Sequence, residues 1–430
     1  MIKAATVLPQ PSLLAPLPLK DVPLWMNQKR DAHWQAFLQH GLPTRQDERW
    51  KYVDLNIREA LQLASAKSIH PAIQKSDAVL DDSINVSFVN GYFQPLPAPD
   101  SIIVCSIREA LQNHEILIKP YLEKTLDAKD AKRFPLANLN AASFEDGLFL
   151  YIPANCKVAL PIQLLSSVCL AETKIALHHL IVVDKNAHLE FLETYHSSIE
   201  SLTVQNNATH IYLEEGSTIN YYKLQHENAA AIHIAYTYIH QSKASMCSYY
   251  NFTNGAHFSR DDVVIDLQGE GALAKAFGFY QLHHPDQYVD QHLEILHHAS
   301  HTQSSMFYKG VLYAQNRGVF NGRLLIAKDI KKIKAEQTNH NLLLNNRAEM
   351  NSKPELEIYA DDVQCNHGAT IGELDEAAIF YLRARGLSKD AAIHTLLKGF
   401  SEEVFNTIEN ILVKTYLKKW CQNENDSSEA

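Results

Sequence analysis

The stretch IVVDKNAHLEFLETY, residues 181–195, combines an apolar strand, a polar turn around a small residue and a second strand. The same outline recurs in residues 211–225 (IYLEEGSTINYYKLQ), 263–280 (VVIDLQGEGALAKAFGFY) and 310–327 (GVLYAQNRGVFNGRLLIA). The small turn residues are Ala187, Ser217, Ala272 and Val319, separated by 30, 55 and 47 residues. That spacing is too irregular for a propeller, whose blades recur at a fixed period. Strand alternation alone leaves two folds open, a β-solenoid of stacked coils of variable length and an antiparallel β-sandwich.

Helical patterns precede this β region. Apolar residues recur at an interval of about 3.6 in residues 24–38 and 48–64, which predicts two helices. A short extended piece follows at residues 84–93. Ser106 is placed to cap a further helix, because its hydroxyl can accept a hydrogen bond from a free N–H of the first turn.

Helical patterns also follow the β region. Residues 375–385 form an amphipathic helix that Gly386 ends, because glycine takes the left-handed conformation found after many helices. A second helix begins after Ser388, and residues 399–400 (Gly-Phe) separate it from a last helix at residues 402–420.

These patterns predict three domains. They are a mostly helical N-terminal domain (residues 1–145), a β core (residues 146–366) and a C-terminal helical domain (residues 367–430). The polar tail, residues 422–430, is expected to be disordered, because it holds too little apolar surface to order itself.

Charge and composition exclude several classes of function. The chain has a formal charge of −10 at pH 7, whereas nucleic-acid binding needs concentrated Lys and Arg. Its six cysteines show no C-x-x-C spacing, which fits a reducing compartment better than a disulfide framework. No apolar run approaches the roughly 20 residues that span a bilayer, and prolines interrupt the apolar N-terminus. We therefore expect a cytoplasmic protein that binds neither nucleic acid nor membrane.

Motifs of common catalytic sites are absent from the sequence. There is no G-x-x-x-x-G-K-[ST] phosphate loop, no G-x-S-x-G elbow and no H-E-x-x-H helix. Several of the 22 histidines are adjacent, as in His178-His179, but neighbours on a strand point to opposite faces and cannot bind one metal together. We therefore expect that the chain is not an enzyme and that any nucleotide hydrolysis belongs to another chain.

The residues with the clearest potential for metal binding lie in the stretch 361–372. Cys365 and His367 are two positions apart, so on a continuing strand both side chains leave the same face while Asn366 points away. A soft thiolate beside an imidazole suits iron–sulfur or zinc ligation.

Two ligands do not complete such a site. An iron–sulfur cluster takes about four protein ligands, so distant residues or a second subunit must supply the others. Asp361 and Asp362 are expected to raise the pKa of the Cys365 thiol, which makes His367 the stronger ligand. The alternative is that Cys365 packs in the core and His367 bonds a turn, and the spacing leaves that alternative open.

Longer motifs surround the two residues. They are residues 339–344 (NHNLLL), 354–365 (PELEIYADDVQC), 367–370 (HGAT), Gly372, 374–376 (LDE), 380–383 (FYLR) and 385–386 (RG). Upstream elements are residues 48–52 (ERWKY), 259–262 (SRDD) and 269–272 (GEGA). Together these motifs resemble the SufB/SufD family of the SUF iron–sulfur cluster assembly system, and within it the SufD type more than the SufB type.

The resemblance implies a fold and an assembly. The fold would be a right-handed parallel β-helix between two helical domains, and the chain would be a non-catalytic scaffold subunit. The partners would be SufB, in a heterodimer, and the ATPase SufC, with a cysteine desulfurase system acting indirectly. The sequence leaves open whether the chain forms a homodimer when SufB is absent.

The resemblance also implies site residues. A transient iron–sulfur cluster would form at the SufB–SufD interface with His367 as a ligand and Cys365 as a candidate, while the isolated chain would hold no stable cofactor. The region that docks SufC would include Asp375, Phe380, Tyr381, Arg383 and Arg385.

Two other functions stay open on the sequence. A SufB-type subunit would need a sulfur-accepting cysteine, for which Cys247 is the candidate in the β region. A β-helix carbohydrate-active enzyme would need secretion and carboxylates clustered on one face of the solenoid, and the sequence shows neither clearly.

Overall fold

The computed structural model describes residues 15–53, 57–65, 78–95, 97, 99–126 and 132–422. Strand is the dominant element, at 44% of residues against 23% in helices, which confirms the prediction of a mainly β chain. Among the described helices, none has the length and apolar character needed to cross a membrane.

Two sheets run along the molecule and are joined into a β-solenoid of about 7 turns. In chain order the strands are β1 (Ala64–Ser65), β2 (Ile84–Val89), β3 (Tyr92–Gln94), β4 (Ile103–Ser106), β5 (Leu148–Ile152), β6 (Ile162–Val168), β7 (Thr173–Ile175), β8 (His178–Val183), β9 (His188–Ser197), β10 (Thr203–Leu213), β11 (Thr218–His226), β12 (Ile232–Gln241), β13 (Met246–Thr253), β14 (Phe258–Leu267), β15 (Leu273–Leu282), β16 (Tyr288–His297), β17 (Gln303–Leu312), β18 (Arg317–Ile326), β19 (Ile333–Leu343), β20 (Glu349–Ile358) and β21 (Val363–Gly372). The first sheet has the order β20-β18-β16-β14-β12-β10-β8-β5-β4, with β7 beside β10 and β1 beside β7. The second has the order β21-β19-β17-β15-β13-β11-β9-β6-β2-β3.

Successive coils of the body pair in parallel. In the second sheet Met246 lies opposite Leu273, and Gln303 lies opposite Lys334, so that these coils take 27 and 31 residues. Each coil buries its inward face only against its neighbours and the opposite sheet. The parallel pairing confirms the β-helix and excludes the antiparallel sandwich.

The coils are more regular than the turn spacing suggests. Ala187, Ser217 and Ala272 do lie at coil turns, but the sequence pattern misses the turn at Ser245, which lies between the last two. Val319 is not a turn residue, because it lies inside β18. The apparent spacings of 55 and 47 residues arise from these two errors.

Short helices precede and follow the solenoid. They are α1 (Leu24–His40), α2 (Ile57–Ala60), α3 (Ile107–Asn113), α4 (Glu115–Thr125), α5 (Pro135–Ser143), α6 (Glu376–Ala384), α7 (Lys389–Phe405) and α8 (Ile411–Gln422), with a 3₁₀ turn at Glu48–Trp50. Helices α1, α3, α4 and α5 cover the outer face of the first sheet, and α7 and α8 cover the outer face of the second.

The N-terminal predictions are confirmed in part. The helix predicted at residues 24–38 is α1, and Ser106 caps α3 by accepting a hydrogen bond from the Glu109 amide. The helix predicted over residues 48–64 is wrong: that stretch holds the 3₁₀ turn and the single-turn helix α2, while residues 54–56 lie outside the described part. The physical reason is tertiary, because Trp50 is buried against the first sheet and anchors the segment irregularly.

At the C-terminus, α6 and its stop at Gly386, which has φ of +99°, follow the prediction. The predicted break at residues 399–400 is wrong, because α7 continues through both to Phe405. A glycine inside a helix costs only about 1 kcal/mol, and the burial of Val404 and Phe405 offsets it. Of the tail predicted to be disordered, residues 423–430 lie outside the described part.

The expected domain limits cut through pieces of the sheets. Strand β2, from the region predicted to be mostly helical, pairs with β6 and so belongs to the second sheet. Strand β21 runs to Gly372, beyond the expected end of the β core at residue 366. The division into three domains itself stays a prediction.

Candidate functional site

The solenoid ends in two strands, β20 and β21, that have open edges. Among the described strands, β20 pairs only with β18 and β21 only with β19. Each is 10 residues long, so two rows of backbone N–H and C=O groups lie at this end without a partner strand. Ile358, Tyr359 and Ile371 add exposed apolar side chains there. Such an edge is suited to pairing with another chain.

Cys365 and His367 lie on β21 and share its inward face. Cys365 is opposite Ala335 and His367 is opposite Gln337, both of which are fully buried in the solenoid interior. Because β21 is a continuous strand through both positions, Asn366 faces outward, as the spacing predicts. The structure thus brings the two candidate ligands together at the open end.

The Cys365 thiol is half-buried against the apolar interior. Burial raises its pKa above the ordinary value, while the backbone amide of Ala335 opposes the rise. The direction agrees with the sequence prediction, but the physical cause is burial and not the charges of Asp361 and Asp362. A thiol with a raised pKa is a weak free nucleophile and needs a metal to displace its proton.

The His367 side chain is exposed. Within the described part of the chain it makes no hydrogen bond or ion pair, so the alternative in which it bonds a turn has no support. Gly368, next to it, has open space around the position of a missing side chain. The imidazole is therefore accessible to a partner or a ligand at this end.

Cys365 and His367 supply two candidate donor atoms for a metal or a cluster. No group of three or more His, Cys, Asp or Glu residues in the described ranges is arranged to hold a metal ion. A thiol and an imidazole on one strand face match the soft donors that iron–sulfur clusters use. The chemistry of the two donors fits such a cluster, and within the described part of the chain they fill only about half of its usual four ligand positions.

The residues predicted to dock a partner lie on or beside α6. Phe380 and Tyr381 are exposed, at 72% and 57%, and Arg383 and Arg385 are exposed with them. The Arg385 guanidinium lies 5.2 Å from the Tyr381 ring centroid and donates to the Tyr381 hydroxyl. Adjacent exposed aromatic side chains with arginines are typical of an interface centre.

Asp375 has a local structural role that accounts for its position. Its carboxylate accepts a hydrogen bond from the Ala377 amide at 2.9 Å and caps the N-terminus of α6. Only three residues, 373–375, separate the end of β21 from the start of α6, so the helix is tied closely to the strand that carries His367.

The two upstream motifs meet in one buried ionic cluster on the outer face of the first sheet. Arg49 of the ERWKY element pairs with Asp262 of the SRDD element and with Glu294. The Arg260 guanidinium lies 3.9 Å from the Trp50 ring centroid. These contacts attach the N-terminal segment to the solenoid.

The other functions considered from the sequence gain no support from these contacts. The carboxylates on that outer face, Asp262, Asp290 and Glu294, are each paired with arginine. Cys247 is fully buried in the interior, and burial raises the pKa of its thiol, so it is poorly placed to accept sulfur. His178 and His179 do face opposite ways, with His178 bonded to Asn140.

The exposed edge residues are the part of this site that the sequence pattern missed. Strand-type alternation ends the prediction of the β core at residue 366, but β21 continues to Gly372. Ile371 then stands exposed on an open strand. The available signal in the sequence was the apolar residue Ile371 next to Gly372. That pattern is equally typical of a turn.

Known proteins are similar in sequence to most of this chain. A family model described as the SufBD core domain of SUF system FeS cluster assembly matches residues 168–400, and one for the SufBD N-terminal region matches residues 20–164. An iron–sulfur cluster assembly SufBD family protein of Synechocystis sp. is 30% identical over 387 residues, covering 85% of this chain and 84% of that protein. The iron–sulfur cluster assembly protein SufD of Escherichia coli is 26% identical, with 88% of each chain covered. SufD of Bacillus subtilis is 25% identical over 71% of this chain and 70% of its own.

Proposed function

The chain belongs to the SufBD family of iron–sulfur cluster assembly proteins, and we propose that it is the SufD-type, non-catalytic scaffold subunit of a SufB–SufC–SufD complex. Its task is to present part of the ligand shell on which a nascent cluster is built. The cluster is the product that the complex hands on, so the isolated chain holds no stable cofactor. The cytoplasm is the proposed compartment, and the six free cysteines support a reducing one.

One observation carries this proposal: Cys365 and His367 share the inward face of β21 at the open end of the solenoid. A thiol and an imidazole need roughly two further donors to bind a cluster. A partner whose own strands pair with the edges of β20 and β21 would bring those donors to the same place. His367 is the proposed ligand, and Cys365 is the second candidate.

SufB is the proposed occupant of this end, in a heterodimer. The open edges supply backbone hydrogen bonds, and Ile358, Tyr359 and Ile371 supply apolar area that pairing would bury. Because the same edge is open in every copy, two copies of this chain can pair through it when SufB is absent. The cysteine desulfurase system then acts on the complex and not on this chain directly.

The ATPase SufC is the proposed partner of the C-terminal helices, with Phe380 and Tyr381 at the centre of the contact. Helix α7 is fixed to the second sheet by Lys309, whose ammonium bonds Glu403 and the carbonyl of Phe400. A force applied to α6 would reach β21 through the three-residue link, residues 373–375, that joins them.

The first experiment is His367→Ala in the co-expressed complex. It should leave SufB, SufC and this chain together in a pull-down and abolish cluster formation, measured by iron and sulfide content. The matched control is His301→Ala, which removes another exposed histidine from a coil turn. An unchanged cluster yield in His367→Ala would remove the ligand role, and the absence of a three-component complex would remove the scaffold role.

The second experiment is the double substitution Phe380→Ala, Tyr381→Ala. It should weaken SufC binding and leave SufB binding unchanged, because these aromatic side chains lie on α6 and not on the solenoid end. The control is Ile116→Ala, which removes a comparably exposed apolar side chain from α4. Retention of SufC at wild-type levels would contradict the docking proposal.

A further inference from the structure

Gln337 lies beside His367 inside the solenoid. The two residues are opposite each other on β19 and β21, and both belong to the inward faces of these strands. Neighbouring parallel strands lie about 4.8 Å apart, so the two side chains start within hydrogen-bonding reach of each other. Gln337 is fully buried, whereas His367 is exposed at the open end.

The orientation of the Gln337 amide is determined by its neighbour across the interior. Its Nε2 donates to the carbonyl oxygen of Gly322 at 3.0 Å. A carbonyl only accepts, so the amide nitrogen must face Gly322 and the amide oxygen must face away. That oxygen, Oε1, is buried and has no hydrogen-bond partner within the described residues. An unsatisfied buried acceptor is uncommon in a folded chain.

The absence of a side chain at Gly322 allows the Gln337 amide to lie this close to the β18 backbone. A Cβ at position 322 would lie 2.1 Å from Gln337 Nε2, so only glycine lets the amide approach. The next inward residue of β19, Asn339, differs: its amide nitrogen donates to the Tyr280 hydroxyl and its oxygen accepts from Ser352. Among the inward amide side chains of β19, the missing hydrogen bond is therefore specific to the position opposite His367.

The register of β19 and β21 allows such a bond. On the outer face of the same two strands, His340 lies opposite Thr370, and its Nδ1 is 2.6 Å from the threonine hydroxyl. His367 makes no hydrogen bond in the described part of the chain, so its ring is free to turn toward Gln337. Both conditions for a hydrogen bond are met within the described residues: Gln337 Oε1 is an acceptor without a donor, and the ring N–H of His367 is a donor without an acceptor.

We propose that Gln337 is the positioning residue of His367: its Oε1 accepts the Nδ1–H of the imidazole and leaves the Nε2 lone pair pointing out of the solenoid end. This inference rests on the proposed ligand role of His367. A ligating histidine commonly donates its other ring N–H to an oxygen acceptor, which fixes the tautomer and the ring orientation. Gln337 would do this before any iron arrives.

The test uses the full chain labelled with ¹⁵N-histidine and reads the tautomer of His367 by NMR, without metal. The His367 signals are identified by their loss in His367→Ala. Wild-type protein should show His367 with its proton on Nδ1. Gln337→Met, which keeps the volume but removes the acceptor, should shift His367 toward the Nε2–H tautomer. Gln337→Glu, which keeps an acceptor oxygen, should retain the wild-type tautomer.

Gln291→Met is the matched control, because Gln291 is also buried in the interior and its amide is bonded elsewhere, to Asp261 and Thr253. It should leave the His367 tautomer unchanged. A wild-type His367 with its proton on Nε2 would overturn the inference without any variant, so failure of Gln337→Met to fold leaves the test intact. An unchanged tautomer in folded Gln337→Met would overturn it as well.

A second readout separates this inference from the proposed function. In the complex, Gln337→Met should lower cluster yield about 10-fold to 100-fold, the usual effect of removing the acceptor behind a histidine ligand. If His367→Ala leaves cluster yield unchanged, the ligand role fails whatever the tautomer. If His367→Ala abolishes the cluster and folded Gln337→Met does not lower its yield, only the role of Gln337 fails.

Discussion

Arg260 joins two motifs that lie 211 residues apart in the chain, since its guanidinium donates to the backbone carbonyl of Arg49. It is fully buried and also pairs with Asp262 and Asp290. For Asp290, burial is the largest single influence and would raise the carboxyl pKa, but the charge of Arg260 and the charge and hydrogen bond of His292 together hold the pKa below its usual value. At the scale of single residues, the ERWKY and SRDD motifs are therefore explained by attachment of the N-terminal segment.

Alternation within SRDD also places a charge inside the solenoid. Arg260 and Asp262 face outward, while Asp261, between them, faces inward and pairs with the buried ammonium of Lys223. Four consecutive polar residues can thus be buried in one strand, because each face offers its own partners.

Arg260→Met should destabilise the fold by about 3–5 kcal/mol, the usual cost of removing one partner of a buried ion pair. Asp262 and Asp290 would be left buried without Arg260. Urea unfolding followed by circular dichroism measures the change. Arg317→Met is the control: Arg317 and Glu349 are both exposed and 3.5 Å apart, a pair worth no more than about 1 kcal/mol. Equal stability of the two variants would contradict the structural role of Arg260.

At the scale of elements, α7 shows how packing overrides a local stop signal. Gly399 and Phe400 together predict a break, yet the helix runs through them. The helix ends at Phe405, and Asn406 is its C-terminal cap. The next helix, α8, begins after Asn410, whose side chain accepts hydrogen bonds from the Leu412 and Val413 amides. Sequence reasoning located the element but not its end, because the buried face beyond residue 400 is recognisable only against the second sheet.

Gly399→Ala should stabilise the protein by about 0.5–1 kcal/mol, because Gly399 is exposed in a helix interior and an added Cβ meets no atom within 4 Å. The measurement is the urea midpoint. Gly269→Ala is the opposing control. There a Cβ would lie 2.0 Å from the backbone nitrogen of Lys243 in the neighbouring coil, so the substitution should destabilise. A loss of stability in Gly399→Ala would argue against a continuous α7.

At the scale of the whole molecule, strands along the first sheet bury histidines in a neutral form. Burial lowers the pKa of His210 to about 3 and the pKa values of His179, His240 and His297 to about 4. An unfolded chain gains protons on these groups once the pH falls below about 6.5. The folded chain gains them only near pH 4 or below, so the unfolded state binds more protons between these values.

Stability should therefore fall as the pH is lowered from about 6.5 toward 4, with the stabilising contribution fully present above 6.5. Urea midpoints measured at pH 7.5, 6.0 and 5.0 test this expectation. His210→Gln removes one of the titrating groups and should reduce the dependence on pH, whatever it does to stability at pH 7.5. A midpoint that stays constant from pH 7.5 to 5.0 would show that burial does not hold these histidines neutral.

The sequence by itself determined a mainly β chain with helices before and after the β region, and the common face of Cys365 and His367, because alternation and helical spacing are local properties of the chain. Alternation alone did not choose between the solenoid and the sandwich. The sequence could not determine where the solenoid stops, since a strand at an open edge has the same pattern as a covered one. The tertiary structure decided three further points. They are the cause of the raised Cys365 pKa, the meeting of two distant motifs at Arg260, and the unpaired oxygen of Gln337 beside His367. Each depends on burial and on contacts between coils, which are set only when the chain is stacked.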